Sequence, residues 1–141
     1  MRYISSDDLK VDSQERFIVD STADNVDAID GIVTKVVEMV ITYLSGRYNT
    51  TLIFDVVAPI RNEVLVDIIV RISLYKIFRR NPARKVSTDI KEDYDAAMKE
   101  LERINSGRTT LANLPTPTTI EGEQPNADLI WGNTSNRDYY I

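Results

Sequence analysis

From Ile60 to Arg80 the chain reads IRNEVLVDIIVRISLYKIFRR, its most apolar run. Val64, Leu65, Val66, Ile68, Ile69, Val70, Ile72, Leu74, Tyr75, Ile77 and Phe78 cover almost every angle of a helix. A helix that is apolar nearly all round is a buried one. One polar strip survives, Glu63, Asp67 and Arg71, and its period of four puts those side chains on a single helical line. The stretch holds no Gly or Pro and is too long for a typical strand. It predicts a central helix wrapped by other segments. The Asp67–Arg71 spacing allows an ion pair, on a line that faces water or a neighbouring subunit.

Three amphipathic segments surround it. In the first, Ser5 or Ser6 can cap a short helix over about residues 6–12. Asp7 and Asp8 then sit in the first turn, where the helix dipole favours negative charge, and Leu9 faces inward. A brief second turn is expected over Glu15 to Val19. Ser21 to Gly46 predicts a long helix, capped at Ser21 or Thr22, with Asp24, Asp27 and Asp30 loading its early turns. Its apolar positions, Ala28, Ile29, Ile32, Val33, Val36, Val37, Val40, Ile41 and Leu44, recur at helical spacing. Lys35, Glu38 and Thr42 fall on the other face, so periodicity outweighs the β-branched content. Gly31 would permit a close helix crossing, and Gly46 would stop the helix.

Between the long helices, Asn49, Thr50 and Thr51 read as a turn. Leu52, Ile53 and Phe54 are either a short extended piece or a plug over the open end of the bundle. Pro59 is expected just before or at the first turn of the central helix. After the break at Pro82, Ser87 caps a third helix with Asp89, Glu92 and Asp93 in its opening turns. Ile90, Tyr94, Ala97, Met98, Leu101 and Ile104 form its apolar stripe, and Gly107 ends it, with Arg103 at the negative end of the dipole.

From Arg108 the pattern changes. The segment is rich in Thr, Asn and Pro, shows no period, and by itself cannot bury enough surface to offset its ordering entropy. Yet its apolar residues cluster as Leu129–Ile130–Trp131 and Tyr139–Tyr140–Ile141. Aromatic anchors in a polar segment suit a docking arm. The expected organisation is therefore a helical bundle over residues 1–107 and an extended docking arm over 108–141. The fold class is all-α: a small bundle of two long helices, a third amphipathic helix and a short N-terminal helix.

Composition narrows the function. With 43% hydrophobic and 28% charged residues over 141 positions, this is an ordinary soluble domain able to bury a core. There is no Cys and no His. Thiolate chemistry is thereby excluded, and the usual acid/base near neutral pH is missing. The Asp24, Asp27 and Asp30 row lacks the Gly and carbonyl pattern of a calcium loop. No catalytic residue, metal or cofactor is expected, and an enzyme is disfavoured. The net charge of −5 repels phosphate backbones at long range. Arg79, Arg80, Arg84 and Lys85 make the one basic cluster, which suits either phosphate or an acidic neighbouring subunit. No basic-then-apolar leader opens the chain, and no run reaches about 18 uninterrupted apolar residues, so a soluble protein made in the cytoplasm is expected, without membrane contact.

Four spaced segments, YISSDDL, YLSGRYNTTL, VRISLYKIFRR and EDYDAAMKELERINSGRTTL, resemble a family of small bacteriophage proteins over about residues 3–112. These are Mu-like virion proteins of formerly unknown function, akin to the helical head–tail connector, or head-completion, adaptors. In that family a GRY sequence after the second helix is followed by alternating Pro and Leu. Here Gly46, Arg47 and Tyr48 match, whereas Asn49 to Phe54 lacks the prolines. The resemblance implies a virion protein assembled in the host cytoplasm. Copies of it would form a homo-oligomeric ring of about twelve below the portal protein. Such a ring extends the DNA channel, with DNA as passing cargo, and offers a surface to the next tail or neck protein. Partner contacts are expected from Leu129, Ile130, Trp131, Tyr139, Tyr140 and Ile141, and from Arg79 and Arg80. The alternative is a small nucleic-acid-binding regulator that uses the Arg79–Lys85 cluster.

Overall fold

The computed structural model describes residues 2–12, 26–80 and 85–117. Within them the chain is helical and has no strand, in agreement with the all-α expectation. The helices are α1 (Ser6–Asp12), α2 (Val26–Leu44), α3 (Thr50–Ile53), α4 (Glu63–Arg79) and α5 (Thr88–Ser106). Helix α4 is the hub, packing against α1, α2 and α5, while α2 and α5 also touch each other. It buries Leu65, Val66, Ile68, Ile69, Val70, Ile72, Ser73, Leu74 and Ile77. Those buried positions cover most of its circumference, as the unbroken apolar run requires. Its polar strip faces outward. Asp67 is exposed, and the Arg71 guanidinium donates to its carboxylate at 3.1 Å.

The other helices bury one stripe each. On α2 these are Ile29, Val33, Val36, Val37, Val40 and Leu44, with Lys35, Glu38 and Thr42 exposed. On α5 Ala97, Leu101 and Ile104 are buried, and the Tyr94 ring stacks on Tyr75 of α4 with centroids 4.1 Å apart. From α1 Leu9 enters the core. The seal over the hub is completed by Ile53, Phe54 and Leu111.

Local chemistry sets the helix ends. The Ser5 hydroxyl accepts from the Asp8 N–H at 3.4 Å, and the Asp8 carboxylate accepts from the Ser5 N–H at 2.8 Å. This reciprocal cap decides for Ser5 over Ser6. The Asn62 side chain caps α4 by accepting from the N–H groups of Val64 and Leu65. Ser87 accepts from the Ile90 N–H on α5. Gly107, with φ 81, ends α5 in the left-handed conformation that a side chain resists. Arg47 reinforces that end, its Nε donating to the Asn105 carbonyl at 2.6 Å.

Four local expectations are corrected. Gly31 is exposed and a Cβ there would meet nothing within 4 Å, so it makes no close crossing among the described residues. Gly46 is not a left-handed stop. Helix α2 ends at Leu44, whose carbonyl accepts from both Arg47 and Tyr48 N–H groups. The Thr50–Ile53 stretch is one helical turn capped by Asn49 and not an extended piece, although Ile53 and Phe54 do plug the bundle. Pro59 lies four residues before α4, because Asn62 supplies the cap that starts the helix. The turn expected over Glu15 to Val19, the caps at Ser21 or Thr22, and Asp24 lie outside the described residues.

Beyond Gly107 the chain stays on the bundle as far as it is described. The Leu111 N–H donates to the Tyr48 hydroxyl at 2.8 Å, and the Asn49 N–H donates to the Pro115 carbonyl at 2.8 Å. Both bonds return the segment to the GRYN sequence after α2.

Candidate interaction surface

At the start of α4 several elements converge. Ile60 donates its N–H to the Ile53 carbonyl at 3.0 Å, which closes the loop between α3 and α4 at its base. The tip of that loop is Asp55–Val56–Val57–Ala58. Val56 is 85% and Val57 90% exposed. Leu52 and Val64 are the other large hydrophobic side chains exposed among the described residues. All four belong to the short stretch 52–64, and none is needed to complete the core. A protein that spends large apolar side chains on solvent in one place marks a contact site.

The base beneath this tip is firmly held. The Tyr3 hydroxyl donates to the Ile60 carbonyl and accepts from the Asn62 N–H, both at 2.9 Å. Its ring packs on Phe54 with centroids 4.7 Å apart. Tyr3 adopts φ 71, a left-handed conformation that is strained for a bulky residue and persists only when its surroundings dictate it. Burial pushes the phenol pKa up, so the hydroxyl keeps its proton and both roles.

Arg61 adds a second tie. Its guanidinium makes paired bonds to the Asp8 carboxylate at 2.8 and 3.3 Å, and its Nε donates to Glu63 at 2.8 Å. The Asp8 carboxyl falls to about 2, chiefly through the Arg61 hydrogen bond, which outweighs the opposing desolvation; the two Ser5 bonds and the Arg61 charge lower it further by smaller amounts. Arg61 is raised, first by Asp8 and then by Glu63. Asp8 is thus both a helix cap and an ion-pair partner.

Two open clefts flank the tip. One of about 630 Å³ lies between Arg2, Tyr3, Asp30, Asp55, Val56 and Arg61. The other, about 350 Å³, runs past Glu38, Thr50, Phe54 and Val56. Both are lined by Arg2, which pairs with Glu38. Their walls carry both signs of charge and a valine, a lining that suits a protein surface better than a single charged ligand.

The sequence-predicted partner residues lie elsewhere. Arg79 and Arg80 are exposed at the other end of α4, roughly 25 Å away along the axis at about 1.5 Å per residue. Lys85 is exposed too, and Arg84 lies outside the described residues. Leu129, Ile130, Trp131, Tyr139, Tyr140 and Ile141 also lie outside them. Among the described residues, no group of three or more His, Cys, Asp or Glu could hold a metal ion. No helix among them is long and apolar enough to cross a membrane. Sequence reasoning missed Val56 and Val57. The available signal was an apolar pair between Asp55 and Pro59 that fits no neighbouring helical period.

Comparison with known proteins matches residues 3–127 to the family described as Bacteriophage Mu, Gp36. No curated protein and no solved structure matches the chain. The family match spans well over half of the sequence, and the chain belongs to this family of phage proteins.

Proposed function

We propose that this member of the bacteriophage Mu Gp36 family is a structural virion protein of the head–tail connector. Copies assemble as a ring below the portal, extend the DNA channel and offer a surface to the next tail or neck protein. The work is done by shape and contact, with no bond made or broken. The observation that carries this reading is the exposed Val56–Val57 tip on a base held by Tyr3 and Arg61. A rigid apolar projection is what a subunit needs to bind a neighbour of fixed shape. The net charge of −5 fits a channel wall that must not grip passing DNA.

The arm clusters Leu129–Ile130–Trp131 and Tyr139–Tyr140–Ile141 clasp the neighbouring copy or the portal in the assembled ring. Electron microscopy of the purified full chain, alone and mixed with portal, tests the reading. Rings that stack coaxially on the portal are expected. Phage lacking this protein should accumulate filled heads and separate tails. Normal necks in such particles would refute the connector role.

A further inference from the structure

We propose that in the free protein the chain's own Leu129–Trp131 segment folds back over the apolar surface formed by Leu52, Val56 and Val57. The tip is the one place among the described residues where large hydrophobic side chains collect in solvent. The occupant is indicated by where the described chain stops. Asn49 holds the Pro115 carbonyl at 2.8 Å, immediately before α3, and the description ends at Pro117. Leu52 is within one helical turn of that anchor, and the Ile60–Ile53 bond brings the Val56–Val57 loop back to the same helix. The described chain therefore ends close to the exposed surface in sequence and in hydrogen bonding.

Reach and chemistry agree. About twelve residues separate Pro117 from Leu129, enough chain to reach at most about 40 Å. Leu129, Ile130 and Trp131 are consecutive and apolar, matching a surface of Leu and Val with no buried charge to satisfy. A tethered segment at this distance sees its target at an effective concentration in the millimolar range, which favours its own subunit over a second copy in dilute solution. This inference does not depend on the ring. It assigns the free subunit a cover that keeps its apolar tip from indiscriminate association, and in an assembly the same segment is released for a neighbour.

Trp131 is the sole tryptophan, so its fluorescence reports the contact directly. In the full-length protein, at concentrations where sedimentation shows a monomer, its emission should be blue-shifted and protected from iodide quenching. The V56D/V57D variant, whose altered side chains stand outside the core, should shift the emission to the red and lose that protection with helical circular dichroism unchanged. Leu52→Asp should do the same to a smaller degree, and both shifts should be independent of dilution. Emission of a fully exposed indole in the unaltered protein would overturn the proposal. So would a signal indifferent to V56D/V57D, or protection that disappears on dilution and so belongs to a second copy. Ring formation by microscopy is a separate readout, so the connector reading and this one fail independently.

Discussion

The two ends of α4 are built on different principles. At its C-terminal end, Lys76 and Arg79 sit in the last turn and Arg80 follows, with the Arg80 N–H closing onto the Ile77 and Phe78 carbonyls. Every one of those features is local. Cations belong where helix carbonyls carry partial negative charge, so the basic pair needs no partner to explain it. The N-terminal end is tied by bonds that cross more than fifty residues of sequence, Tyr3 to Ile60 and Asn62, and Asp8 to Arg61. It also holds a strained Tyr3 backbone and exposes two valines. A feature that satisfies its own helix is weak evidence of function. A reinforced base beneath an apolar tip that helps no helix is better evidence.

The contrast breaks most directly at Tyr3. Tyr3→Ala removes a ring packed on Phe54 and two hydrogen bonds, and should lower stability by about 3 kcal/mol in urea unfolding. Tyr3→Phe keeps the ring and should cost about 1–2 kcal/mol, since the Ile60 carbonyl and Asn62 N–H lose their shared partner. If the phenylalanine variant unfolds at the wild-type midpoint, the base is not held as described.

Arg61→Ala should cost about 1 kcal/mol or less near neutral pH, because this paired ion contact is partly open to solvent. Its pH dependence is the sharper measurement. The folded Asp8 carboxyl titrates at about 2, below an unfolded carboxyl near 3.9. The stabilisation is therefore complete above about pH 5 and is lost as pH falls through about 4 to 2. Thermal midpoints of the wild type and Arg61→Ala should converge over that window. A gap that stays constant down to pH 2 would show that Asp8 is not the partner that matters.

The smallest effect is expected at the other end. Replacing Arg79 and Arg80 with Ala should cost only about 0.5 kcal/mol, through the helix dipole, and salt should erase it. It should leave ring formation intact. Loss of duplex DNA binding at physiological salt in that variant would instead favour the regulator alternative and overturn the reading of this end as local.

What the sequence determined by itself is everything that depends on near neighbours. The buried hub, the stripes of α2 and α5, the Ser87 and Gly107 ends and the outward Asp67–Arg71 line are all legible, because helical period and capping act within a few residues. Tertiary structure decided the rest. Tyr3 reads as a stray aromatic until Ile60 and Asn62 arrive at its hydroxyl, and Asp8 reads as a cap until Arg61 meets it. Val66 and Val56 are the same residue type ten positions apart, yet one is 6% and the other 85% exposed. Composition cannot separate them. Burial depends on which elements converge on a side chain, and that is fixed only when distant parts of the chain pack together.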